Sequence, residues 1–255
     1  MSLKICGLLL FSAAAYAAPV ATYTFNNNLS AQQGGVVSLS AVDPLGTSNF
    51  TTAVVFGNTR NVYHFNGSNS PASNQGGLQL DTTGLIGTNN YSVEIVFSLD
   101  DRNNAWRRVM DTLDRGSDNG LYIDPSNHLA VFPAGGTSDT FTPSTFFDIF
   151  VTVDSSNNIV GYFSGVQQFS LTATDLDIQT NFLNFFLDNT AGGGQGEWSQ
   201  GNVALIKVFN SALSAGEVAR ETEDPFVGTT TPEPASWLLM LGGAACLGIR
   251  KFRSA

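Results

Sequence analysis

Between residues 18 and 226 the chain alternates. Apolar, aromatic and β-branched residues exchange places with polar ones at every second position along Tyr91-Ser-Val-Glu-Ile-Val-Phe-Ser-Leu99, Asp148-Ile-Phe-Val-Thr-Val-Asp154 and Asn202-Val-Ala-Leu-Ile-Lys-Val-Phe209. A period of two is the signature of a strand with one face in a core. Asn66-Gly67, Asn119-Gly120, Ser155-Ser-Asn-Asn158 and Gly192-Gly-Gly194 interrupt the pattern and predict chain reversals that use positive φ. Helical spacing is found at Ser214-Ala-Gly-Glu-Val-Ala-Arg220, where Ser214 can cap the first turn together with Glu217 three residues on. The pattern predicts an all-β antiparallel two-sheet sandwich of about a dozen strands.

Both ends depart from it. Lys4 precedes an apolar run from Ile5 to Ala15, and Ala15-Tyr16-Ala17 places small residues where a signal peptidase reads, so residues 1–17 are expected to be a signal peptide cut after Ala17. Residues 227–255 are expected to be a linker, a polar triplet Pro232-Glu233-Pro234, an apolar helix over about 235–249 and a basic end at Arg250, Lys251 and Arg253. Those apolar residues make roughly 22 Å of helix against a hydrocarbon core of about 30 Å, a marginal span. Snorkelling of Arg250 and Lys251 and an interfacial Trp237 would hold it in a thinned bilayer. Positive charge at the C-terminal side puts that end in the cytoplasm and the body across the membrane. A plain single-span anchor is the alternative to a processed tail.

Two resemblances add to this reading. Thr231-Pro232-Glu233-Pro234-Ala235, the apolar run and Arg250-Lys251-Phe252-Arg253 resemble a PEP-CTERM sorting signal. The resemblance implies a Gram-negative host, passage through the inner membrane, recognition by an exosortase, and delivery to the cell surface or the extracellular polysaccharide matrix. In the body, Thr22-Tyr-Thr-Phe-Asn-Asn-Asn-Leu29, Val62-Tyr-His-Phe-Asn-Gly-Ser68, Tyr91 to Leu99, Trp106-Arg-Arg-Val-Met-Asp-Thr112 and Gly120-Leu-Tyr-Ile123 resemble successive strands of the laminin-G-like (concanavalin A-like lectin/glucanase) jelly roll. Phe147 to Asp154 with Val160 to Gly165, and Gly201 to Asn210 with Ser211 to Val218, resemble its paired and closing strands. The fold implied is a jelly-roll sandwich over residues 18–226. Asn66 and Ala204-Leu205 stand where some relatives carry the carboxylates of a calcium site, which weakens the implication of calcium at those positions.

Charge and cysteine content narrow the partners. Trimming both ends removes Lys4, Arg250, Lys251, Arg253 and Glu233, and leaves 7 basic against 20 acidic residues, a net charge near −13. Such a body is not expected to bind nucleic acid or anionic lipid. Cys6 and Cys246 both lie in the trimmed ends, so no disulfide framework is expected, and the length is ample for a single core.

Candidate chemistry is sparse. Asp188, Asn189 and Glu197 would converge if the glycines between them fold the loop back, giving a divalent site with calcium as the cofactor; the alternative is a solvated loop. No strand carries the spaced carboxylates of a jelly-roll glycosidase. Asp111 with Asp114, and Asp175 with Asp177, are read as surface turn or edge residues, and His64 and His128 as packing or turn residues. Trp198 and Trp106 could stack on sugar rings, with Gln200 supplying hydrogen bonds, against the alternative that both tryptophans pack in the core or at a sheet edge. The expectation is a non-enzymatic surface or matrix protein whose jelly roll binds polysaccharide, met during export by signal peptidase and exosortase. An inert structural protein and a polysaccharide-degrading enzyme are the alternatives.

Overall fold

A computed structural model of the protein describes residues 17–100, 105–191 and 196–226. Ala15, the Pro232-Glu233-Pro234 triplet, the apolar helix, the basic residues Arg250, Lys251 and Arg253, and Gly192 to Gly194 lie outside the described residues. Among the described residues no helix is long and apolar enough to cross a membrane.

Among the described residues fourteen strands form two antiparallel sheets, as the alternation predicts. In chain order they are β1 (Ala21–Tyr23), β2 (Ser40–Val42), β3 (Asn49–Val55), β4 (Asn58–Phe65), β5 (Gly77–Asp81), β6 (Tyr91–Leu99), β7 (Arg107–Asp111), β8 (Gly120–Ile123), β9 (Leu129–Phe132), β10 (Phe147–Val153), β11 (Asn158–Phe163), β12 (Val166–Thr172), β13 (Phe182–Phe185) and β14 (Gly201–Phe209). The larger sheet runs β12-β11-β10-β6-β14-β4-β3, with β1 also paired to β14; the smaller runs β2-β5-β13-β7-β8-β9. Between them lies one core, to which β6 gives Tyr91, Val93, Ile95, Phe97 and Leu99 and β14 gives Val203, Ile206 and Val208. The register shift at Ala204 on β14 restores the inward phase of its second half. Phe186 stacks on Phe65 at 4.1 Å with the rings nearly parallel, and meets Phe97 at 5.4 Å, which ties the sheets together at the centre.

The opening strand is shorter than the resemblance implies. Phe25 and Asn27 both take positive φ, so the ladder stops after Tyr23 and the Phe25 ring turns into the core. At Asn66-Gly67 and Asn119-Gly120 the structure corrects the reason for glycine: neither pair has positive φ. A Cβ on Gly67 would collide with the Asn74 carbonyl oxygen, and one on Gly120 would sit 2.8 Å from the Met110 carbonyl oxygen. Close backbone approach selects glycine there. The Ser155–Asn158 turn does use positive φ, at Asn157, and the Asp154 carboxylate accepts the amides of Ser156 and Asn158.

Among the described residues one α-helix is found, α1 (Ala215–Glu223), and it starts with the expected capping box: Ser214 accepts the Glu217 amide, and the Glu217 carboxylate accepts the Ser214 amide at 2.8 Å. It lies over the face of the larger sheet that points away from the core, where Val218 joins Phe150, Tyr162 and Phe209 in a second apolar cluster. That face also buries charge. Lys207 on β14 lies 3.0 Å from Glu94 on β6 and 3.0 Å from Glu221 on α1, and Asp148 on β10 shares the same face. Burial pulls the Lys207 ammonium down, but Glu94 and Glu221 more than offset it and leave it raised. Burial, reinforced by Asp148, holds Glu94 well above the carboxylate range. Asp148 is pushed up to about 8 by burial, which Lys207 only partly counters.

Candidate functional site

The smaller sheet presents its polar positions on the side away from the core. Alternation along β7, β8 and β13 sends Val109, Leu121, Leu183 and Phe185 inward and leaves Arg108, Tyr122 and Asn184 on the other face. There a hydrogen-bonded row crosses three strands. Gln79 donates to Asn184 at 3.0 Å, Asn184 donates to Asp111 at 3.1 Å, and Asp111 pairs with Arg108 at 2.7 Å. Arg108 also donates from Nε to the Tyr122 hydroxyl at 2.6 Å and from Nη2 to the Ser117 carbonyl at 2.8 Å, and Tyr122 donates to the Asp118 carbonyl at 2.9 Å.

Asp111, expected as a surface residue, is fully buried in this row. Its neighbour Asp114 is exposed, because β7 ends at Asp111 and the chain then turns outward. Burial raises the Asp111 carboxyl, while Arg108, the Arg115 amide and Asn184 pull it back. A buried Arg–carboxylate pair is sustained only when further hydrogen bonds occupy the remaining donors and acceptors, as they do here.

Gly196 and Glu197 return to Asp188. Asp188 accepts the amides of Gly196 and Glu197 on Oδ2 and of Asn189 on Oδ1, each at 2.8 Å, and its Oδ1 lies 3.8 Å from Arg108 Nε. Arg115 fastens the loop from beneath, donating to the Asp188 carbonyl at 2.7 Å and to the Ala72 carbonyl at 2.8 Å. The Arg108 amide donates to the Glu197 carbonyl at 2.8 Å, which sets Glu197 beside β7. The Asn189 side chain donates to Asp118. Burial first, and then the charges of Asp188 and Asp118, push the Glu197 carboxyl up to about 7; a hydrogen bond with Tyr122 and the Arg108 charge partly offset them. Glu197 therefore changes between hydrogen-bond donor and charged acceptor close to neutrality.

Asp188, Asn189 and Glu197 are thus brought into one neighbourhood, but Asp188 spends its oxygens on amide donors. Among the described residues no group of three or more His, Cys, Asp or Glu side chains is arranged to hold a metal. The two tryptophans part company. Trp198 is 7 % exposed and its indole donates to the Gly76 carbonyl at 2.9 Å, so its ring is part of the packing. Trp106 is half-buried, meeting Tyr122 edge-on at 5.6 Å and Phe132 at 5.4 Å, beside the Arg108–Tyr122 pair. Gln200 is exposed and donates to Asp100 at 3.3 Å. His64 contacts Asn202, and His128 sits 3.9 Å from Asp124 in a turn, both as expected for packing and turn residues.

Sequence reasoning missed Arg108, Tyr122 and Asp118. Strand parity could have found the first two, since each alternates with a core residue on its own strand. Nothing local marks Asp118, which reaches the site only through the β7–β8 loop.

Comparison with solved structures finds the same architecture. Domain 4 of AbnA, an extracellular GH43 arabinanase from Geobacillus stearothermophilus solved with arabinotriose, superposes with a TM-score of 0.61 at 18 % identity, over 81 % of this chain and 98 % of that one. The structure titled for the dependence of botulinum neurotoxin type C cell entry on two ganglioside molecules gives 0.56 at 12 % identity, and the receptor-binding domain of botulinum neurotoxin type G gives 0.52 at 15 %. Each covers at least 80 % of this chain, which spans about half the length of those neurotoxin chains. At such identities the likeness establishes the fold alone. No curated protein sequence matches the chain. A family profile matches residues 72–219, from the 3-10 turn before β5 into α1, and by that match the chain belongs to the concanavalin A-like lectin/glucanases superfamily.

Proposed function

We propose that the protein is an exported, non-enzymatic carbohydrate-binding module that holds polysaccharide at the bacterial surface or in the extracellular matrix at the part of its smaller sheet where Trp106 and Glu197 remain partly exposed. The observation that carries this reading is the half-buried Trp106 ring, set edge-on against Tyr122, with the half-buried Glu197 in the same neighbourhood and a buried Arg108–Tyr122 pair beneath them. A partly exposed aromatic ring with a carboxyl nearby offers what a sugar ring requires: an apolar face to stack on, and a hydrogen-bond partner for a hydroxyl. The arabinotriose in the similar AbnA domain supports a saccharide ligand. Calcium is not needed for this mode of binding, because the carboxylate best placed for it, Asp188, already faces amide hydrogens.

Export belongs to the same proposal. The signal peptide ending at Ala17 and the tail with Pro232, Glu233 and Pro234 would carry the domain across the inner membrane and hand it to an exosortase. Affinity electrophoresis through gels containing arabinan, xylan, mannan or mixed-linkage β-glucan tests the binding half. At least one polysaccharide should retard the protein, the Trp106→Ala variant should run free, and no reducing ends should accumulate. Unretarded migration in all four gels would refute the binding role, and release of reducing ends would replace it with an enzymatic one. Intact mass from a host with and without its exosortase tests the sorting half; an uncut C-terminus in the normal host would mean a plain anchor.

A further inference from the structure

The edges of the two sheets are not alike. An edge strand presents unpaired N–H and C=O groups, and proteins blunt it by shortening, bulging, charging or covering it. β2 is three residues long. On β9 the outer side is occupied, because Val131 exchanges hydrogen bonds with Gly135 at 2.8 and 2.6 Å. On β1 the Thr22 carbonyl accepts the Gln32 amide, and the Thr22 amide donates to the Gln33 side chain. β12 bulges where Gln168 falls out of the pairing with β11, and the Gln168 side chain accepts the Asp139 amide. β3 has none of these devices. It pairs with β4 over 7 residues without a shift in register, it carries neither charge nor proline, and among the described residues no backbone hydrogen bond leaves its outer side. Its Val54 is 68 % exposed, more than any other large hydrophobic side chain among the described residues.

The turn after β3 fixes which of its groups point outward. Phe56 and Gly57 both take positive φ, so the β3–β4 hairpin closes on a two-residue turn with Val55 and Asn58 as a hydrogen-bonded pair. Such pairs alternate along an antiparallel ladder. Asn49, Thr51 and Ala53 therefore bond to β4 as well, while the N–H and C=O of Phe50, Thr52 and Val54 turn away from it. These three positions are symmetric about Thr52. A second copy laid antiparallel across a two-fold axis at Thr52 sets Thr52 against the partner's Thr52 and Phe50 against the partner's Val54, and each outward N–H then meets a carbonyl. Phe50 packs at the rim of the core and Val54 shares its face, so each such pair joins an aromatic ring to a β-branched side chain, a favourable cross-strand combination. An axis at Thr51 would leave Val54 without a partner in the strand, and one at Ala53 would leave Phe50 without one. A strand of another protein would satisfy the backbone equally, but the equal spacing of Phe50 and Val54 about Thr52 makes this strand complementary to itself.

We propose that the protein forms a two-fold dimer by antiparallel pairing of β3 with β3 of a second copy, which joins their larger sheets into one. The pairing does not depend on sugar binding at Trp106. Where that face does bind, a dimer presents it twice, and engaging one polysaccharide at two points raises retention beyond that of a single copy.

Sedimentation equilibrium of the full chain in detergent, from micromolar to millimolar concentration, tests this. Salt is held at about 0.15 M, where repulsion between the acidic bodies is screened beyond about 8 Å. A monomer–dimer equilibrium should appear. Val54→Lys, a change at an exposed side chain, should weaken it about tenfold, because it sets a lysine against the partner's Phe50 at two symmetric places. Cysteine cross-linking reads the register, in a chain that also carries Cys6→Ser and Cys246→Ser. Thr52→Cys lies on the axis, where the two Cα atoms come to about 5.5 Å, within disulfide reach, and should oxidise to a covalent dimer. Thr51→Cys, on the other face and opposite the partner's Ala53, should not. A monomer at every concentration, a dimer indifferent to Val54→Lys, as one held by the C-terminal apolar run would be, or equal cross-linking at positions 51 and 52 would each overturn the proposal.

Discussion

Asp148→Asn should stabilise the protein, and only where the pH is high enough for an exposed aspartate to ionise. The carboxyl is 3 % exposed on a face that already holds Glu94 and Glu221 around a single lysine, and its folded-state value rises from 3.8 to about 8. A group whose value is raised on folding contributes its full stability below the unfolded value, and that contribution is lost as pH climbs through the window to the folded value. Here the window runs from 3.8 to about 8. At neutral pH the unfolded chain carries the ionised form and the folded protein the protonated one. With about 1.4 kcal/mol for each pH unit above the unfolded value, the penalty reaches on the order of 4 kcal/mol. Glu94 competes for the same lysine and the same proton, so roughly 2–4 kcal/mol is the expected gain from a neutral isostere. Urea unfolding of both proteins across that window measures it. The two curves should meet near the acidic end and separate steadily towards neutrality, with the variant above. Parallel curves, or a variant less stable at neutrality, would refute the account of the cluster.

Smaller perturbations follow from other contacts. Ser214→Ala removes the hydroxyl half of the capping box on α1 and should cost about 1 kcal/mol of global stability by chemical denaturation. Gly67→Ala should lower the melting temperature markedly although its φ is ordinary, because the new methyl collides with the Asn74 carbonyl; an unchanged melting temperature would mean that the loop gives way. Polysaccharide retention should strengthen as pH rises through about 7, where Glu197 becomes a charged acceptor, by up to about tenfold for one charge-assisted hydrogen bond, and Glu197→Gln should remove that pH dependence.

The architecture was largely legible in the sequence, because a sandwich of this size writes its inner face at every second residue. Tyr91–Leu99 is β6 to the residue, and Ser214 with Glu217 announced α1. The site was legible only in part. The neighbourhood of Asp188 and Glu197 was one of two readings of that segment, a solvated loop being the other, and the network that supports them runs sideways, from Gln79 on β5 through Asn184 on β13 and Asp111 on β7 to Arg108. Such a row is set by register between strands distant in sequence, which no local pattern records. The same holds for the burial of Asp111 and of the Glu94–Lys207–Glu221 cluster. Each reads as a solvated charge on its strand until a neighbouring strand or α1 covers it. Trp198 and Trp106 look alike in sequence and differ in the structure because one indole finds a buried carbonyl and the other ring remains at the sheet surface.

The claim that the Trp106 face binds sugar is tested most directly by following the indole N–H signals of the three tryptophans, Trp106, Trp198 and Trp237, as an oligosaccharide from the retarding polysaccharide is added to 15N-labelled protein. The account predicts a saturable shift of Trp106 with Trp198 unmoved, since its N–H is already committed to the Gly76 carbonyl. A Trp106 signal that stays in place while the sugar demonstrably binds would contradict it.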